Sequence, residues 1–98
     1  MNLWIDDVRP APDGYKWCKS VNEAVDLIEA VEGHFCISII DIDHDAGDFA
    51  HDGGDYIKLL DWLEETNRNI PIRIHSMNPV GVENMRRIIQ RNGWVEIR

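Results

Sequence analysis

Three short segments carry side chains that could do chemistry together: Asp6-Asp7, Asp43-His44-Asp45, and His75-Ser76 followed by Asn78. Two or three carboxylates gathered in one crevice are each costly to desolvate unpaired, and a hard cation with oxygen ligands is their natural counter-charge. Mg²⁺, or Mn²⁺ in its place, suits Asp6, Asp7 and Asp43 best, because it uses few carboxylates and completes its shell with water and phosphate oxygens. An unperturbed imidazole titrates near pH ~6.5, so His44 or His75 could move protons at neutral pH, or either could be a hydrogen-bonded structural histidine. Asp43 could also attack a phosphoryl group directly. Ser76, Asn78 and the free N–H groups of a helix start could hold a phosphate. Arg9 could reach the same phosphate or pair with an aspartate. Asp45 is counted with Arg9, Ser76 and Asn78 among the ligand-contacting residues, and His34 and His51 are given no role.

The elements that must position these residues read as alternating strands and helices. Residues 3–7 form a short strand ending in two aspartates. Arg9-Pro10-Ala11-Pro12-Asp13-Gly14 cannot be helical with two closely spaced prolines and a glycine, so it is a stiff loop leading to a second strand at about 15–19. Ser20 with Glu23 makes a capping box; Ala24, Leu27, Ile28 and Val31 share one helical face, and Gly33 is placed to end the helix. Cys36-Ile37-Ser38-Ile39-Ile40-Asp41-Ile42 is β-branched and apolar on both faces, as a central parallel strand would be. After a loop to Gly54, Tyr56, Leu59, Leu60 and Leu63 keep amphipathic helical spacing. Ile72-Arg73-Ile74-His75-Ser76 is a fourth strand. Asn78-Pro79 starts a third helix, Asn92-Gly93 ends it, and Trp94-Val95-Glu96-Ile97 is a fifth strand.

This alternation predicts an α/β fold of the flavodoxin or receiver kind: three layers, a mostly parallel five-stranded sheet of order 2-1-3-4-5, and three main helices. Ligands of such sheets bind beyond the carboxyl ends of the strands, where all three chemical segments would meet. The connection between the first two strands fits poorly, since a parallel crossover normally needs a dozen or so residues and only 8–14 are at hand.

Composition narrows the function classes. With 98 residues, 44% of them apolar, and four tryptophans, the chain can fill one core as a single domain over 1–98. The apolar runs are short and the amino terminus reaches charge within six residues, so a soluble, cytoplasmic protein without a membrane span is expected. A net charge of −8 argues against wrapping a nucleic-acid duplex but leaves a small or terminal phosphate open. Cys18 and Cys36 lack metal-type spacing and are read as reduced core thiols, a disulfide between them being the lesser alternative. Seven of the eleven aspartates lie between Asp41 and Asp61, a cluster that repels itself unless solvated or occupied by a cation. Within it, Asp41, Asp43, Asp45 and Asp52 have the spacing of an EF-hand loop, but Ala46 stands where glycine is needed and a strand, not a helix, precedes it. His44-Asp45 and His51-Asp52 are likewise a weak match to histidine-aspartate phosphohydrolases.

Several ordered motifs give the chain a more specific resemblance: Leu3-Trp4-Ile5-Asp6-Asp7-Val8-Arg9-Pro10, the Trp17 strand leading to Ser20 and Glu23, Ile42-Asp43-His44-Asp45-Ala46-Gly47-Asp48, Gly54-Asp55-Tyr56, and His75-Ser76-Met77-Asn78-Pro79-Val80-Gly81. Over nearly its whole length it resembles the cyclic-phosphate-processing receiver domains, a divergent branch of the response-regulator receiver superfamily. The resemblance implies that Asp6 and Asp7 occupy receiver metal positions and Asp43 the position phosphorylated in true receivers. His44, Asp45, His75 and Ser76 would refit the pocket. Against the receiver pattern, the first helix is replaced by the Arg9–Gly14 loop, the last helix is missing, and no lysine ends the fifth strand, although Arg98 could stand in. The resulting expectation is a metal-dependent phosphoesterase acting on a cyclic nucleotide or an RNA 2′,3′-cyclic phosphate end. The alternative is a non-catalytic nucleotide-binding module or a degenerate receiver working as an interaction domain. Three helices cannot fully cover two faces of five strands, so an apolar surface bordered by Trp4, Trp17, Trp62 and Trp94 is expected to pair in a homodimer.

Overall fold

A computed structural model describes all residues, 1–98. The strands are β1 (Asn2–Ile5), β2 (Tyr15–Cys18), β3 (Ile39–Ile42), β4 (Ile72–Ile74) and β5 (Glu96–Ile97); the helices are α1 (Val21–Val31), α2 (Ile57–Glu65) and α3 (Pro79–Asn92), with a short 3₁₀ turn at Gly47–His51. The sheet has the order β2-β1-β3-β4-β5 and every pairing is parallel.

From β2 onward, each strand-helix-strand connection steps across the sheet in the same direction, and crossovers of one hand then place all three helices on one face. Burial agrees. Leu3, Ile5, Ile40, Ile42 and Ile72 alternate onto that face and form one core cluster with Ala24 and Ile28 of α1, Leu59, Leu60 and Leu63 of α2, and Met85, Ile88 and Ile89 of α3. Trp4, Asp41 and Arg73, aligned across β1, β3 and β4, alternate onto the other face, which has no helix. The expected layer on that side is reduced to the 6–14 segment.

That segment explains how the short first crossover closes. Asp6 accepts the backbone N–H groups of Val8 and Arg9 at 3.0 and 2.8 Å, which turns the chain immediately after β1. The indole N–H of Trp4 donates to the Arg9 carbonyl at 2.8 Å, and that of Trp17 to the Asp6 carbonyl at 2.7 Å. Two tryptophans on the helix-free face thus tie the loop down where a helix would otherwise pack.

Local signals are realised with some corrections. The Ser20 hydroxyl accepts the Glu23 N–H at 3.0 Å, but the Glu23 carboxylate returns to Lys19 instead of closing a reciprocal box on Ser20. Asn78 caps α3 by accepting the Gly81 N–H at 3.0 Å, and Gly93 ends it in the left-handed region at φ 67°. Gly33 does not act as a left-handed cap; α1 ends at Glu32 in right-handed conformation. β3 begins at Ile39 and not at Cys36, because its partner β1 begins at Asn2, whose pair is Ile39. Cys36 is consequently exposed and only Cys18 is a core thiol; both are free. Burial pushes the Cys18 thiol up to about 12, so it is inert at neutral pH.

Candidate metal and phosphate site

The carboxyl ends of β1 and β3 bring Asp6, Asp7 and Asp43 together, each offering an oxygen within 4.8 Å of the others. Asp6 is fully buried and the other two are half-buried. Burial opposes ionisation of Asp6, yet the Arg9 and Val8 N–H groups and the His75 ring outweigh it and hold this carboxyl below the usual carboxylate range. Asp7 goes the other way: partial burial, then the charges of Asp6 and Asp43, push it above that range. Asp43 gives one oxygen to the His44 N–H at 2.7 Å. No arginine or lysine pairs with Asp7 or Asp43, so the cluster carries uncompensated negative charge, a donor set that fits a hard divalent cation. Of the seven aspartates between Asp41 and Asp61, only Asp43 joins this cluster. Asp52 accepts from Ser20 and Asn22 at 2.6 and 3.0 Å, Asp55 accepts the Ala46 N–H at 3.0 Å, and Asp41 lies on the helix-free face.

Beside the carboxylates sits His44, with its side chain 15% exposed. Its Nδ1 lies 2.8 Å from an Asp45 carboxylate oxygen, and the Asn78 amide nitrogen lies 3.4 Å from the same ring atom. A neutral ring donating from Nδ1 to Asp45 keeps its lone pair on Nε2, and Nε2 makes no hydrogen bond within the protein. Asp45 is thus placed to orient the His44 ring. Ser76 accepts the Asn78 N–H at 3.1 Å at the entry to α3. One Arg9 nitrogen donates to the His75 carbonyl at 3.0 Å and lies 4.0 Å from Asp6, leaving the rest of a half-exposed guanidinium free to meet a phosphate.

The structure sets His75 apart from these groups. Both of its ring nitrogens face carboxylates, Asp41 at 2.6 Å and Asp6 at 2.9 Å, and its ring stacks on Trp4 at 3.9 Å.

Three further residues shape the site. Asp41, read above as one position of an apolar strand, is 1% exposed and pairs with Arg73 at 2.9 Å as well as with His75. Gly47 has φ 55°, and a β-carbon there would run into the Asp7 carboxylate; one at Gly81 would run into the His44 ring. A carboxylate inside a β-branched run, and a glycine in the first turn of a helix where alanine is favoured, were the available signals.

A family model for the cyclic-phosphate processing receiver domain matches residues 1–91. The chain belongs to that family. No match was found among curated proteins or among solved structures. Membership in this receiver family accounts for the parallel 2-1-3-4-5 sheet and for a site at the carboxyl ends of its strands.

Proposed function

We propose that the protein opens a cyclic phosphate on a nucleotide or RNA end as a metal-dependent phosphoesterase. The observation carrying this reading is the cluster of Asp6, Asp7 and Asp43 beside His44, whose backbone N–H bonds Asp43 and whose ring lies against Asp45 and Asn78, the cap of α3. Mg²⁺ or Mn²⁺ would be held by Asp6, Asp7 and Asp43, and when bound would supply positive charge beside the phosphoryl oxygens and acidify water. The other roles belong to the chain. His44 Nε2 accepts a proton from the attacking water while Asp45 fixes its tautomer. One P–O bond forms as the ring P–O bond breaks, and the same nitrogen returns its proton to the departing alcohol. The Arg9 guanidinium, the Asn78 amide and the Val80 N–H, the one backbone donor of the first turn of α3 not taken up within the protein, hold the phosphate oxygens. A groove of about 470 Å³ along Ser76, Met77, Pro79, Val82, Glu83 and Arg86 gives the attached nucleoside room beside them.

The second reading is capture of the phosphorylated ligand without turnover. What favours it is that one free imidazole nitrogen must serve both proton transfers, because His75 has neither nitrogen to spare. Incubating the pure protein with cyclic mononucleotides, cyclic oligonucleotides and 2′,3′-cyclic RNA ends, with and without EDTA, tests the choice. EDTA-sensitive conversion of one class to a monoester supports hydrolysis, and saturable binding with unchanged ligand supports capture.

A further inference from the structure

Beside the carboxylate cluster a continuous chain of hydrogen-bonded side chains runs along the helix-free face: Arg73 to Asp41 at 2.9 Å, Asp41 to His75 at 2.6 Å, His75 to Asp6 at 2.9 Å. Asp41 and Asp6 are 1% and 0% exposed, and the His75 side chain is 10% exposed. Carboxyl groups so far from water need a partner for every oxygen, and here every one has it. Asp6 gives one oxygen to the Val8 and Arg9 N–H groups and the other to His75; Asp41 divides its two between His75 and Arg73. The Trp4 ring lies parallel to the imidazole, at 3° between planes, and fixes its tilt.

This arrangement gives His75 no lone pair directed at the crevice, so it is badly placed to take a proton from a ligand. It is well placed to aim Asp6. We propose that Asp41 and His75 are a positioning pair that sets the rotamer of Asp6, so that His75 organises the metal ligands and does not exchange protons with the substrate. The inference rests on the reading of Asp6, Asp7 and Asp43 as a metal site. Partners that orient a ligand from behind typically control metal affinity by about 10–100-fold. Asp41, outside the cluster and joined to it only through His75, becomes a residue on which the site depends.

Calorimetric titration with Mg²⁺ alone tests the pair in the full chain. The variants are Asp43→Asn, His75→Gln, the near-isosteric Asp41→Asn, and the last two combined, each checked for native circular dichroism at the titration temperature. His75→Gln and Asp41→Asn are each expected to weaken Mg²⁺ binding by about 10-fold or more. The double variant should lose no more than the worse single one, since the two act as one unit. A side chain that only stabilised the fold would lower the melting temperature and leave the affinity of the folded protein alone. If the parent binds Mg²⁺, Asp43→Asn loses it, and both pair variants bind like the parent, the inference is overturned while the metal site stands. If the parent binds no Mg²⁺, the metal reading fails and takes the inference with it.

Discussion

His44 and His75 leave neighbouring strands and end in opposite chemical situations. His44 has one nitrogen on Asp45 and the other without a partner in the protein, whereas His75 is closed in by Asp6 and Asp41. His44→Ala should therefore lower the turnover of a cyclic phosphate by about 10²-fold or more with the fold intact by circular dichroism, and Asp45→Asn by less, because it only orients the ring. Parent-rate turnover by His44→Ala would remove it from the mechanism. The clustering of Asp6, Asp7 and Asp43 was legible in the sequence, because two segments end in carboxylates and parallel strands bring such ends together. The division of labour between the histidines was not, since it depends on which face of the sheet each side chain takes and on Asp41, whose apolar neighbours disguise it. Gly47 and Gly81 were equally hidden: their importance lies in contacts with Asp7 and His44 that only the folded chain creates.

Among the elements, all five strands and three helices were readable, and side-chain caps marked where two of the helices start. Ser20 and Asn78 start α1 and α3 as their residue types predict, and Gly93 stops α3. What could not be read was the reinforcement from far along the chain. Asp52 receives the Ser20 hydroxyl and the Asn22 amide, Glu32 at the end of α1 takes a bidentate bond from Arg68 at 2.9 and 2.7 Å, and Glu64 on α2 binds Arg91 and Asn92 at the end of α3. Hydrogen bonds from Arg68 to Glu32, from Ser20 to Asp52 and from Arg91 to Glu64 hold all three carboxyls below their usual range, as the loop N–H groups do against burial for Asp6. A carboxyl that ionises more readily folded than unfolded stabilises the fold fully above its ordinary pKa, and that stabilisation disappears as pH falls through the lowered folded value. Asp7 is raised, so it opposes them: its cost to the fold is present at neutral pH and is relieved by acid. Four groups against one predict that the denaturant midpoint falls once the pH drops below about 4. A midpoint that rose on acidification below that pH would show that repulsion around Asp7 and Asp43 dominates.

The whole molecule is a sheet with helices on one face, and its other face is closed by polar and aromatic side chains acting through the 6–14 segment. None of the four tryptophans is among the exposed large apolar residues. Trp4 is roofed by His75, Trp17 is bonded to the Asp6 carbonyl and carries the Lys19 ammonium at 4.5 Å, Trp62 lies under Arg68 at 4.3 Å, and Trp94 packs against the core. The tryptophans expected to border an uncovered apolar surface are therefore themselves covered, while Phe35, Met77, Val80 and Val95 are exposed. The sequence showed that the Arg9–Gly14 loop stands where a doubly wound sheet has a helix between its first two strands. It did not show that indole N–H groups and a hydrogen-bonded chain of polar side chains would close this face. Light scattering across micromolar concentrations should give a constant mass near the 11.3 kDa of one chain, and a mass near twice that would mean that another surface pairs. No helix is long and apolar enough to cross a membrane.

The reading of this receiver-family fold as a cyclic phosphodiesterase depends most directly on metal-dependent ring opening through Asp43. Phosphorus NMR of a 2′,3′-cyclic nucleotide mixed with the protein follows that step without a coupled assay. The account predicts that the cyclic diester resonance gives way to a monoester in Mg²⁺, persists in EDTA, converts again when Mg²⁺ is restored in excess, and persists with Asp43→Asn. Conversion at the same rate in EDTA, or by Asp43→Asn in Mg²⁺, would contradict it.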